Sequence, residues 1–313
     1  MKRKIIQLAG KTSVISIPQS WIRKFNIKKG QEVEVKEENN RIIIETDNVV
    51  QTKDIKLDIS EMNVSTAWYN LISAYRSGAE TINVYYNDYI LDIKTKENTL
   101  SSDMIRDAVN KFTGMEIIKQ GKNHAIIKEI TTPKIEEFEN ILKRTYFAVI
   151  NMSSDIVEGL EKVDKIKINN VSEISEVNVN KLCNFSLRLI TKHKKNGIDS
   201  LTLYSTIIKL EEIGDNYSKI SKIFAESKNE YSKKLIQLFK NLDKMINLFY
   251  NISFKHEQDK YNNMAEIKQE IKQEIKDFKT DSDYEKEILQ IARGIPELLM
   301  EASCIKLTYR IDF

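Results

Sequence analysis

The feature that most constrains this chain is an almost continuous helical pattern from residue 134 to residue 310. Apolar residues recur there at steps of three and four, the spacing of one buried face of an amphipathic helix. With only 3 prolines and 9 glycines in 313 residues, the chain has few positions that would break such a pattern. We predict six helices, which would form two sets of three, with these bounds: 134–165, 176–195, 199–226, 229–255, 257–280 and 283–310.

The predicted helical body begins at a helix-start signal. Pro133 follows Thr132, and Glu136 and Glu137 would lie in the positively polarised first turn. The chain has two cysteines, Cys183 and Cys304, in apolar helical patterns without metal-type spacing, so we predict buried thiols in a reducing compartment.

Two pairs of carboxylates stand out in this body. Glu211 and Asp215 are four residues apart, as are Glu297 and Glu301, so each pair would stack on one side of its helix. Gly214 lies between the first two and would let a neighbouring backbone or a ligand come close. Like charges at this spacing repel, and a cation would remove that repulsion. Each pair is therefore a candidate oxygen-donor metal site, and the alternative is a solvated helix face.

The first pair belongs to a recognisable motif. Residues 210–217 read L-E-E-I-G-D-N-Y, which resembles the L-E-R-I-G-D-H-A type signature of the PhoU family of phosphate-signalling regulators. The resemblance covers residues 133–313 and implies two three-helix repeats. It also implies metal ligation by Glu211, Asp215, Glu297 and Glu301.

The resemblance to PhoU also bears on the cofactor and the partners. It points to iron or zinc, whereas ligands that are all oxygen favour magnesium or manganese, so the metal stays open. Regulation of phosphate uptake would be the role, and a phosphate transporter or a sensor kinase stays open as a further partner.

The N-terminus has a different character. Residues 1–30 contain eight Lys or Arg residues and no Asp or Glu, within a chain whose net charge is only +3. A concentrated basic segment favours binding to a polyanion, because each neutralised phosphate releases a counterion. The alternative is a basic end that only aids solubility. We predict DNA as the partner, and the candidate contacts are Arg3, Lys4, Lys11, Arg23 and Lys24.

The same segment contains four short β-rich runs and one helical turn. Strands are predicted at residues 5–8, 14–17, 33–36 and 41–45, and a helix is predicted at 19–25 with Trp21, Ile22 and Phe25 facing inward. A module of this size cannot bury much surface alone. We therefore predict a homodimer. The order strand, I-P, helix, K-K-G-Q-E-V resembles the AbrB/SpoVT family. That resemblance implies that two chains interleave their hairpins into one barrel that binds DNA.

Residues 53–130 predict a small α/β connector with the element order β-α-β-α-β-β, in which Ser60 would cap the first helix. The combined prediction is a multidomain α+β protein. An AbrB-like swapped-hairpin β-barrel, formed by a dimer, occupies residues 1–48; the α/β domain occupies 53–130; and a PhoU-like bundle of two three-helix repeats occupies 133–313.

The predicted function is a cytoplasmic DNA-binding regulator of phosphate homeostasis that is not an enzyme. The sequence contains no Gly-rich phosphate loop or nucleophile elbow, and no apolar run or signal-peptide core that would insert into a membrane. One alternative is a metal-carboxylate helical protein, an enzyme or adaptor, that does not bind DNA; the Glu-x-x-His pairs of di-iron bundles are missing. The other is an antitoxin-like regulator.

Overall fold

The computed structural model describes residues 2–8, 12–38, 40–46, 53–131, 137–193, 198–227, 231–255 and 259–307. The chain divides into two compact units, Met1–Lys53 and Asp54–Phe313. The predicted α/β and helical domains therefore share the second unit. Their predicted boundary near residue 132 stays a prediction.

The first unit consists of two antiparallel hairpins and a short helix. Its elements are β1 (Ile6–Leu8), β2 (Thr12–Val14), α1 (Gln19–Lys24), β3 (Glu34–Glu38) and β4 (Arg41–Glu45). β1 pairs with β2, and β3 pairs with β4. The predicted order of elements is confirmed, but β2 ends before the predicted residues 15–17, which join no strand in the described part of the chain.

This unit has no core of its own among its described residues. None of the described side chains in residues 2–46 is buried, and Ile5 and Ile42 are 74% and 69% exposed. The four strands that the structure describes here form two separate two-stranded sheets, and within one copy these described strands do not close a barrel.

The second unit begins with an α/β layer. Its elements are β5 (Asp54–Asp58), α2 (Val64–Arg76), β6 (Thr81–Tyr85), β7 (Tyr89–Asp92), β8 (Glu97–Leu100), α3 (Ser101–Val109), β9 (Met115–Gln120) and β10 (His124–Glu129). The main sheet has the order β5-β6-β10-β9, in which β5 and β6 are parallel and the other pairs are antiparallel. Alternate residues of β6 and β10, such as Ile82 and Ile127, are fully buried.

Two details of this layer differ from the prediction. The hairpin β7–β8 was not predicted, because its turn contains no glycine and instead places Lys96 at a φ of 61°. Helix α2 is capped by Asn63, whose Oδ1 accepts a hydrogen bond from the Thr66 N–H at 3.0 Å. The predicted cap, Ser60, was wrong; its own N–H donates to the Asp58 carboxylate.

The helical body completes the second unit. Its helices are α4 (Phe138–Lys162), α5 (Lys165–Asn170), α6 (Glu176–His193), α7 (Ile198–Glu226), α8 (Lys233–Tyr250), α9 (Lys260–Asp277), α10 (Asp283–Ala292) and α11 (Ile295–Leu307). A π-helical turn, Val171–Ser175, joins α5 to α6, and a second one, Asn251–Lys255, extends α8.

The six-helix prediction needs two corrections. The second predicted helix begins at residue 176 as expected, but the stretch before it is also helical, because Asp164 caps α5 by accepting a hydrogen bond from the Lys167 N–H at 3.0 Å. The last predicted helix is two helices, because Pro296 lacks an N–H and is tolerated only in the first turn of a new helix. The predicted start at Thr132 and Pro133 lies outside the described residues.

One hydrophobic core runs from the α/β layer into the helical body. Helix α9 contributes to it through Ile267 and Ile271, which are buried. Cys183 is buried as a free thiol, as predicted, whereas the Cys304 side chain lies outside the described residues. Within the described residues, no helix has the length and apolar character that crossing a membrane requires. The cytoplasmic location stays a prediction.

Candidate functional site

The basic side chains of the first unit are arranged around α1. Trp21 and Phe25 lie on its partly buried side with their ring centroids 5.1 Å apart, whereas Arg23 and Lys24 are exposed. This is the predicted orientation, and it follows from the helical period, which places residues 21 and 25 on one face.

The carboxylates of the described residues do not neutralise these cations. Arg3 and Lys4 are also exposed, and in the described part of the chain none of the four basic residues forms an ion pair with a carboxylate. The Lys24 ammonium lies over the uncharged Phe25 ring, 5.7 Å from its centroid, which is a cation–π contact. The fifth predicted contact, Lys11, lies outside the described residues. The exposed and unpaired charges are therefore available to an external anion.

A mostly apolar groove of about 280 Å³ lies beside these charges. It is lined by side chains from the segment after β2, from α1 and from β4: Arg3, Ile15, Ser16, Ile17, Pro18, Trp21, Ile42 and Ile44. A groove with this lining leaves apolar surface in water within a single copy.

Comparison with known protein families bears on the first unit. Residues 6–50 match the model of the family described as antidote-toxin recognition MazE, bacterial antitoxin. The match supports the AbrB-like interpretation of the N-terminus, and we call residues 6–50 the MazE-like module. It does not extend to the residues that carry the PhoU resemblance. No curated protein and no solved structure matches the chain.

The second candidate site lies on α7, far along the chain from the MazE-like module. The predicted packing stripe of this helix is confirmed, since Ile207, Leu210, Tyr217 and Phe224 are fully buried. A Cβ atom at Gly214 would lie 3.0 Å from Val179 Cγ1, so the glycine allows α6 to pack closely against α7. The close approach predicted at Gly214 is thus made by a neighbouring helix.

Glu211 is held by an arginine that the sequence analysis did not single out. Arg76, in the last turn of α2, donates from Nη2 to both carboxylate oxygens of Glu211 at 2.6 and 2.8 Å. Its Nε donates to Asn184 Oδ1 on α6 at 2.6 Å. We call these three residues the Arg76 clasp. It joins the α/β layer to two helices of the body.

Asp215 has a different environment, although it shares a helix face with Glu211. Burial, together with the negative charges of Glu211 and Glu176, raises the pKa of Asp215 to about 6. Glu176, on α6, accepts a hydrogen bond from Asn180 Nδ2 at 3.0 Å. The Oδ1 of Asn180 is buried and has no hydrogen-bond partner in the described structure.

The carboxylate cluster is defined here as Glu176, Glu211 and Asp215. Its donors are all oxygen, so in kind they fit a hard or borderline cation. Among the described residues, however, no three His, Cys, Asp or Glu side chains are already grouped closely enough to hold a metal ion.

The second predicted pair, Glu297 and Glu301 on α11, is engaged by lysines. Lys268 and Lys272 of α9 contact the two oxygens of Glu297 at 2.5 and 2.7 Å, and their hydrogen bonds lower the pKa of that carboxyl. Lys209 of α7 lies 2.7 Å from Glu301. These ion pairs tie α11 to its neighbours, and Glu301 faces a lysine of the helix that carries Glu211.

A second arginine missed by the sequence analysis lies deeper in the second unit. Arg188 of α6 is 1% exposed and donates to the carbonyl oxygens of Tyr75 and Ala79 at 2.8 and 2.7 Å and to Glu129 Oε1 at 2.9 Å. Lys192 donates to the other oxygen of Glu129. A signal was present, since Arg188 lies directly between the apolar residues Leu187 and Leu189, and a charged residue on a buried helix face needs a partner.

Proposed function

We propose that this protein is a dimeric DNA-binding regulator whose MazE-like module contacts DNA. The observation that carries the proposal is a set of exposed cations that form no ion pair with a carboxylate among the described residues: Arg23 and Lys24 on that module, and Arg3 and Lys4 just before it. Phosphate contacts of this kind supply most of the non-specific affinity for DNA. The family match supports the same class, a regulator or antitoxin-like protein.

Dimerisation through the MazE-like module follows from what a single copy lacks. A module without one buried side chain among its described residues cannot offset its conformational entropy. A second copy would cover the apolar groove and supply the missing core. The interleaved barrel is the arrangement that the family resemblance implies.

We predict that the full chain sediments as at least a dimer at micromolar concentration. Placing Asp at both Ile15 and Ile42, two apolar positions of the groove, should shift sedimentation equilibrium toward the monomer, because burying two carboxylates costs several kcal/mol. Ile166→Asp is the matched control, since Ile166 is 77% exposed on α5 of the second unit. A wild-type chain that stays monomeric would contradict the proposal.

For the second unit we propose a sensory role in phosphate homeostasis, with a cation held near Glu211 and Asp215 and weaker help from Glu297 and Glu301. The support is the PhoU-like motif on α7 and the oxygen-only carboxylate cluster. Burial and then the charges of Glu211 and Glu176 raise the pKa of Asp215, and a bound cation would relieve that repulsion. A phosphate transporter or sensor kinase as a further partner belongs to the same proposal.

Metal content tests this site directly. Glu211→Gln with Asp215→Asn keeps the shape of both side chains and removes their charge, so protein purified without chelator should lose its bound iron, zinc, manganese or magnesium. Elemental analysis measures this. Asp155→Asn with Glu158→Gln is the control, because these α4 carboxylates pair with Lys167 at 3.3 and 2.5 Å. Equal metal content in both variants, or no metal in the wild type, would contradict the metal site and favour the alternative that Glu211 and Asp215 form a solvated helix face.

The physiological role is tested by mapping DNA occupancy across the genome in phosphate-rich and phosphate-starved cells. The proposal expects specific sites whose occupancy changes with phosphate. Occupancy that ignores phosphate and is confined to the protein's own promoter would favour the antitoxin-like alternative, which the family description specifically supports. A complete lack of specific sites would favour the metal-carboxylate alternative.

A further inference from the structure

The four-stranded sheet of the α/β layer has one buried side and one open side in the described structure. Helices α2 and α3 pack on the side that carries Ile82 and Ile127, both of which are fully buried. We propose that the other side of the sheet binds the same side of a second copy of this chain. This contact would join the second units of two chains, apart from the MazE-like module.

The open side consists of three rows of residues that run across β5, β6, β10 and β9. Side chains alternate between the two sides of a sheet, so the strand register assigns each row. The first row is Asp54, Thr81, Lys128 and Glu116; the second is Lys56, Asn83, Ile126 and Lys119; the third is Asp58, Tyr85 and His124. None of these side chains is buried, and we call them together the outer face.

The charges of the outer face are balanced but unpaired. It carries three carboxylates and three lysines, and none of the six forms an ion pair among the described residues. A polyanion such as nucleic acid would favour an excess of positive charge. A face with no net charge is instead complementary to a partner that has the same balance, and a second copy of the chain has it.

The strand register makes the outer face complementary to itself. A two-fold axis that runs across the strands, between the first and second rows, would place each of these rows opposite the other row of the partner chain. Asp54 would then face the partner's Lys56, and Glu116 would face the partner's Lys119. Each pair would occur twice, because a two-fold interface is reciprocal.

The same axis would bring apolar groups together. Ile126 would lie against the aliphatic stem of the partner's Lys128. The rings of Tyr85 and His124, which stack with their centroids 4.7 Å apart, would lie near the partner's Ile130. Ile130 follows β10 in the same alternation and is 59% exposed. The contact would therefore remove apolar surface from water as well as pair the charges.

The size of the outer face indicates a contact that works alongside another one. Strands about 4.8 Å apart and rows about 6.8 Å apart give roughly 400 Å² per copy, about half of what a stable interface buries on each partner. The proposed dimer of the MazE-like modules would raise the local concentration of the second units and allow this weaker contact to form. The inference thus rests on the proposed dimer and adds a second interface to it.

Cross-linking of the full chain tests the contact, at a concentration where sedimentation equilibrium shows a dimer. Asn83→Cys lies beside the proposed axis, so a bismaleimide with a spacer of about 10 Å, the distance between packed sheets, should join two chains. We expect a yield at least about tenfold above that of the wild type, whose own cysteines set the background. Ile166→Cys, at a position that is 77% exposed on α5, is the matched control and should stay at background. Thr81→Cys replaces Asn83→Cys if that variant does not fold.

Charge exchange tests the pairing of the rows. In the Asn83→Cys chain, adding Lys56→Glu and Lys119→Glu turns four attractive contacts into repulsive ones and should lower the yield at least about tenfold. Adding Asp54→Lys and Glu116→Lys to these exchanges the signs, returns the chain to its original net charge and should restore the yield.

The control for total charge is Lys233→Glu with Lys234→Glu, at exposed positions of α8, which should leave the Asn83→Cys yield unchanged. A dimeric wild type in which Asn83→Cys stays at background would overturn the outer-face contact and leave the module dimer standing. A monomeric wild type would overturn both. Cross-linking that ignores charge reversal, or that charge exchange fails to restore, would also overturn the contact. Background cross-linking together with weaker DNA binding by Lys56→Glu with Lys119→Glu would assign the face to nucleic acid instead.

Discussion

Replacing Arg188 with Met should lower the free energy of unfolding by about 3–5 kcal/mol, the cost of removing one partner from a buried ion pair. The substitution leaves the Tyr75 and Ala79 carbonyl oxygens without their donor and leaves Glu129, whose side chain is 6% exposed, with less compensation. Because Arg188 joins α6 to α2 and β10, the loss should affect the α/β layer and the helical body together.

Thermal and urea unfolding measure this effect. For a unit of this size each kcal/mol corresponds to roughly 2–4 °C in Tm. Arg106→Met removes an exposed pair in the same layer and should change the free energy of unfolding by less than about 1 kcal/mol. Equal effects of the two substitutions would show that the buried network contributes no more than a surface ion pair.

The difference in the free energy of unfolding between the wild type and Arg188→Met should depend on pH in a defined direction. Burial alone would raise the pKa of Glu129, but hydrogen bonds from Lys192 and Arg188 outweigh it and hold this pKa below its usual range. A carboxyl with a depressed pKa stabilises the fold above its unfolded pKa, near 4.5, and loses that contribution as the pH falls through the folded value. The gap between wild type and Arg188→Met should therefore be full at pH 7 and shrink below about pH 4.

Replacing both Arg23 and Lys24 with Ala should weaken DNA binding across all sequences. Each lost phosphate contact reduces the slope of log affinity against log salt by about 0.9, so two lost contacts should flatten it by nearly 2. Fluorescence anisotropy with a labelled duplex over a salt series measures both quantities. The fold of the MazE-like module should survive, because both side chains are exposed and unpaired with carboxylates in the described structure.

The control for this experiment is Lys233→Ala with Lys234→Ala, two adjacent exposed lysines at the start of α8. This control variant loses the same two positive charges, but from the second unit. The net charge of the two double variants is therefore equal. If both double variants keep the wild-type affinity at every salt concentration, α1 is not the DNA-contacting surface. If both lose affinity equally, the effect is one of total charge.

Features with a local physical cause followed from the sequence alone. Helical periodicity predicted the body and the buried stripe of α7, and alternation with turn residues predicted the two hairpins of the MazE-like module. The same period predicted that Trp21 would face inward while Arg23 and Lys24 face outward. These outcomes depend only on residues a few positions apart, so the sequence is sufficient to specify them.

The partners of charged residues were decided only by the tertiary structure. Glu211 and Arg76 are 135 positions apart, and Arg188 and Glu129 are 59 apart, so no local pattern could indicate that they meet. The sequence determined that Glu211 and Asp215 share a helix face, because residues four positions apart are about one helical turn apart. Whether Glu211 meets an arginine, a metal ion or water depends on which helices pack beside α7, and the core that joins the α/β layer to the helical body selects those neighbours.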